Sequence, residues 1–137
     1  MKKILKRIGL GLLIGFALFL GLFIVPYFAN IVMPWDRAEA IETALTWGGL
    51  ENLPDNADIT SVDTKGSMFT REFIIEFNCG QEELEEWIQN SGLTKLTPRT
   101  DDNGLKVYQV TGQEGSIGGH VYIDNEKGNV IIDMSWS

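Results

Sequence analysis

Residues 68–78 read MFTREFIIEFN, with Phe69, Phe73, Ile75 and Phe77 on odd positions and Thr70, Glu72, Glu76 and Asn78 on even ones. Only Arg71 and Ile74 break the alternation. Side chains of a strand point to opposite faces in turn, so this spacing predicts an antiparallel strand with one face buried and the other mostly polar. Just before it, Lys65-Gly66-Ser67 reads as a turn joining this strand to an earlier one over 58–64.

Downstream the period changes. In residues 81–90, Leu84, Trp87 and Ile88 fall at i, i+3 and i+4, with Glu82, Glu83, Glu85 and Glu86 between them. That is a helix with one apolar stripe, its acids gathered where the helix dipole favours them, and Gly92 is placed to end it. Shorter strands are expected near 93–98, 105–111, 119–124 and 129–136. Asp101-Asp102-Asn103-Gly104 turns one pair, and Asn125-Glu126-Lys127-Gly128 turns the other. In the last strand Val130, Ile132, Met134 and Trp136 share a face, and Trp136 is expected to meet Trp87 in the core. Upstream, Asp36 with Glu39 resembles a capping box opening a helix that runs to about Trp47 before Gly48-Gly49. The expected class is therefore α+β: an antiparallel sheet of four to six strands with one or two packed helices, in residues 36–137.

The N-terminal third is of another kind. Ile8 to Val25 is 18 residues of Ile, Leu, Phe, Val, Ala and Gly, and no charge occurs from Ile8 to Trp35. A helix of that length spans about 27 Å, close to the roughly 30 Å of a bilayer's hydrocarbon core. Residues 8–32 are thus read as a single transmembrane anchor through the lipid bilayer, and residues 1–7 as a basic cytoplasmic end. Lys2, Lys3, Lys6 and Arg7 outweigh Arg37 on the other flank, so the positive-inside rule puts the domain on the extracytoplasmic side, as in a bacterial inner-membrane protein. The alternative is a cleaved secretory segment, but the apolar run exceeds the usual length, and the nearest A-x-A-like site, Ala38-Glu39-Ala40, lies far beyond its end. Gly11 and Gly15 form a G-x-x-x-G pair through which two anchors can associate as a homodimer.

Charge and motif content narrow the function classes. Residues 36–137 carry 7 basic against 19 acidic residues, a net −12, which disfavours nucleic acid and an anionic lipid surface and leads us to expect the domain to stand off the bilayer. One cysteine, Cys79, excludes an internal disulfide, and one histidine, His120, excludes a metal site built on two imidazoles. No cofactor motif appears, and the acids of the two turns lack the spacing of a calcium loop. His120, Tyr122 and Asp124 fall on one side of a strand, an arrangement suited to general-base chemistry or to a polar sheet face. Cys79, next to a helix start, is read as an inert junction residue, with an intermolecular disulfide or a reactive thiol as the alternatives. Without a catalytic constellation, the expected role is binding: an accessory module contacting a protein partner, with Ser116, Gly118, Gly119, His120 and Tyr122 as the candidate surface. A small tethered enzyme using His120, Tyr122 and Asp124 or Cys79 is the competing reading.

Overall fold

The computed structural model describes residues 1–67 and 69–137 of the chain. It bears out the α+β class: a long apolar helix (Lys2–Phe28), a shoulder helix (Arg37–Gly48), an acidic helix (Gln81–Asn90) and one six-stranded antiparallel sheet. The strands are β1 (Asp58–Gly66), β2 (Arg71–Asn78), β3 (Arg99–Thr100), β4 (Lys106–Thr111), β5 (Gly118–Asp124) and β6 (Asn129–Trp136). Their order across the sheet is β1-β2-β6-β5-β4-β3, so the C-terminal meander docks its last strand beside the N-terminal hairpin. The two halves meet where Ile75 lies opposite Ile132 and Phe77 opposite Val130.

One face of the sheet carries the core. Ile75 and Phe77 of β2, Val121 and Ile123 of β5, and Val130, Ile132 and Met134 of β6 are buried there. Ala44 and Leu45 of the shoulder helix and Leu84 and Trp87 of the acidic helix close it from above. Trp87 packs edge-on against Phe77 with ring centroids 5.5 Å apart, and its indole N–H donates to the Glu51 carbonyl at 3.0 Å. Both the apolar body and the polar atom of this side chain are therefore satisfied in the interior.

Several expectations are corrected. Trp136 does not join Trp87: it is 42% exposed, because the core ends one step earlier, where Met134 faces Phe73 and Trp47 covers Phe73 at 5.4 Å. Phe69 is 78% exposed rather than on the buried face, since β2 begins only at Arg71 and Ser67 N–H donates to the Thr70 carbonyl just before it. Met68 of that expected strand lies outside the described residues. The strand expected over 93–98 is a 3₁₀ turn, Leu93–Lys95, whose Leu93 plugs the core; pairing begins after Pro98, which has no N–H for a ladder. Asp36 does precede the shoulder helix, but its backbone is already α-helical and its side chain makes no capping bond.

The apolar helix is long and apolar enough to cross a membrane. Pro26 cannot donate to the Leu22 carbonyl, and the turn before it, Leu20–Ile24, widens to π, with Val25 N–H reaching the Leu20 carbonyl. The places expected to end helices do so: Gly49 and Gly92 adopt left-handed conformations after the shoulder and acidic helices.

Trp87→Ala is expected to cost about 3–5 kcal/mol, from the cavity left behind and the unpartnered Glu51 carbonyl. Urea denaturation of the full chain measures it. A loss below about 1 kcal/mol would mean that the acidic helix does not close the core.

Candidate functional site

The residues expected to form the site divide between two places. Ser116 belongs to the β4–β5 turn, which is fastened to the shoulder helix, and Gly118 and Gly119 open β5 beside it. The Trp47 carbonyl, left without a partner at the end of that helix, accepts from Gln113 N–H at 2.8 Å and from the Ser116 hydroxyl at 3.0 Å. The return of the chain is held by Ile117 N–H donating to the Ser135 carbonyl at 3.0 Å. Gly118 (φ 90°) and Gly119 fit because the backbone passes too close for a side chain: a Cβ on Gly119 would lie 1.9 Å from the Asp133 carbonyl oxygen. The glycines here serve a tight crossing.

His120 and Tyr122 lie elsewhere, on the sheet face opposite the helices, with ring centroids 6.1 Å apart. Asp124, expected beside them, is turned into the β5–β6 connection, where its Oδ1 accepts from the N–H groups of Glu126 at 3.1 Å and Lys127 at 3.2 Å. The acid directly across from His120 is Asp133 of β6. Antiparallel register, unknown from the sequence, sets this pairing: Asp133 pairs with His120 on one side and with Ile74 on the other. One step along β2, Glu72 pairs with Lys65.

This uncovered face carries Glu72, Ile74 and Glu76 from β2, Ile131, Asp133 and Ser135 from β6, and His120 and Tyr122 from β5. Its polar groups are organised. Asn129 donates through Nδ2 to Glu76 at 2.9 Å and to Asn78 at 3.0 Å, bridging β6 and β2. Asp133 holds its proton far above the usual carboxylate range, to about 6. Burial is the main cause; a proton shared with Glu72 and the like charge of that carboxylate add to it, while Lys65 pulls the other way. With Asp133 so raised, the charge of this face changes in mildly acidic solution.

Cys79 lies at the junction of β2 and the acidic helix. Burial and then the Glu83 carboxylate push its thiol pKa up, away from a thiolate nucleophile. Among the described residues, no group of three or more His, Cys, Asp or Glu side chains is placed to hold a metal ion.

A second concave feature, absent from the sequence reading, lies where the apolar helix meets the domain. A π turn precedes Pro26 near the end of the apolar helix, and the left-handed residue Asn30 lies between that helix and the shoulder helix. A cleft of about 490 Å³ opens between them, walled by Phe23, Pro26 and Ile31 on one side, Ala40 and Trp47 on another, and Phe73 of the sheet. Its charged lining residues are Arg71, Asp36 and Glu39. The Arg71 guanidinium stacks 4.3 Å over the Tyr27 ring and donates to the Thr64 hydroxyl at 3.3 Å, tying β2 to the end of the apolar helix. Gly11 and Gly15, further down that helix, face open space.

No protein family, curated protein or solved structure matches this chain.

A carboxyl whose pKa rises on folding favours the native state at low pH, and that contribution is lost as the pH climbs from about 4 to about 6 and beyond. Asp133→Asn should therefore gain thermal stability relative to the wild type as the pH rises from 4 to 7.5. Melting curves of both proteins across that range measure it. A difference independent of pH would mean that Asp133 ionises as an ordinary surface acid.

Proposed function

We propose that the chain is a single-pass membrane protein that holds its acidic domain outside the cytoplasm and acts there as a binding or accessory module of a larger membrane or envelope assembly. The observation that carries this reading is the bare sheet face: the shoulder and acidic helices both pack on the other side, which holds the whole core. An antiparallel sheet with one solvated face is ordinary, but here Ile74, Ile131 and Tyr122 lie among the acids and offer apolar anchors for a contact. The matching partner is a protein surface that offers apolar contact together with basic side chains, complementing Glu72, Glu76 and Asp133.

The placement is supported by the length and composition of the Lys2–Phe28 helix, which the domain leaves uncovered along its apolar window, and by the cluster Lys2, Lys3, Lys6 and Arg7 before it. Binding is preferred to catalysis because Asp124 is occupied in a turn, Ser116 is fastened to Trp47, and the Cys79 thiol is driven away from its reactive form.

A photo-crosslinking residue replacing Tyr122 in the full chain, irradiated in native membranes, is expected to give one defined adduct that is lost on Ile131→Lys. The same probe at the exposed Glu85 of the acidic helix is expected to give none. Equal capture at both positions, or none at Tyr122, would overturn the assignment of the bare face as the contact.

A further inference from the structure

Resting on the membrane-anchored reading, we propose that the cleft between the apolar helix and the shoulder helix binds a zwitterionic phospholipid drawn from the leaflet on the domain's side. Three observations lead to this occupant.

The first is position. The lower wall is the end of the apolar helix itself, Leu22, Phe23 and Pro26, so the cleft opens from the surface that acyl chains would cover. Its volume of about 490 Å³ falls within the roughly 300–1,000 Å³ of small-molecule sites, enough for part of one lipid rather than for a folded partner.

The second is shape. The opening lies where the chain is constrained: Pro26 removes a backbone donor from the apolar helix, and Asn30 at φ 56° turns the chain before the shoulder helix starts. The cleft stays open between the two helices. Trp35 folds back to within 6.4 Å of Phe23 and stands half exposed, an amphipathic ring at the level where head groups lie.

The third is charge. One cation and two anions line the cleft, Arg71 against Asp36 and Glu39. A guanidinium has five N–H donors, and Arg71 gives one to Thr64, leaving others for a phosphate. Asp36 and Glu39 match an ammonium group. A purely anionic head group would satisfy Arg71 and be repelled by the two carboxylates, whereas a head group with phosphate and ammonium satisfies both signs. The domain's net −12 thus does not keep it off the bilayer everywhere: at this edge Arg71 brings β2 onto Tyr27.

The test uses the full chain, incorporated into nanodiscs of equal parts phosphatidylethanolamine, phosphatidylglycerol and phosphatidylcholine and released for native mass spectrometry. The wild type should retain one lipid per chain, with each of the two zwitterionic lipids enriched at least threefold over the glycerol lipid. Thr43→Trp, which fills the cleft from the shoulder helix, should lower retention about tenfold. Arg71→Gln should lower it for every head group. Asp36→Asn combined with Glu39→Gln should abolish the preference while leaving retention intact. Wild-type retention no higher than that of Thr43→Trp, retention indifferent to head group, or a dimer that closes the cleft without lipid would each overturn the proposal. A wild-type chain that washes out of membranes with alkaline carbonate would overturn the anchoring reading instead, which keeps the two failures distinct.

Discussion

A helix of 27 residues whose apolar window the rest of the chain leaves uncovered sets the terms for everything else in this molecule. Exposing one large aliphatic or aromatic side chain to water costs about 1.5–3 kcal/mol relative to burying it, and this helix exposes more than a dozen. The domain is folded without it: the core is complete between the sheet and two other helices. The rest of the chain does not supply an apolar surrounding for this helix, and the proposed membrane placement would provide one.

The domain meets the same requirement in the usual way for a small α+β unit, by turning one sheet face inward. Two helices suffice because the core is compact: Phe77 under Trp87 at one end, Phe73 under Trp47 at the other, and the pairs of β2 with β6 between them. The opposite face holds no part of the core, and on it Asp133, raised by burial and by Glu72, is the group whose ionisation follows pH. The glycine-rich turn, by contrast, is committed to the fold, since it completes the end of the shoulder helix at Trp47.

Much of this was legible in the sequence because it rests on local periodicity. The alternation of residues 68–78, the Leu84, Trp87, Ile88 stripe and the glycines after each helix placed the main elements within a few residues. What failed depended on where elements stop or on what lies across from them. Trp136 has the right parity for the core but lies past the edge of the helical layer. Phe69 has the parity of Phe73 but lies before β2 begins. Leu93 was read as part of a strand because a buried leucine in a 3₁₀ turn leaves no period. The link from His120 to Asp133 needed the register of β5 against β6, and the cleft needed the angle between two helices; neither is written in any one segment.

The central claim is that the apolar helix stays in a bilayer with the domain on the outer side. Its most direct test places a single thiol at Glu126, in the exposed β5–β6 turn, by Glu126→Cys in a Cys79→Ser chain, and treats intact cells with a membrane-impermeant maleimide. The account predicts labelling of a full-length, membrane-bound chain without permeabilisation. Labelling that requires opened cells, or a shortened chain recovered from the medium, would contradict it.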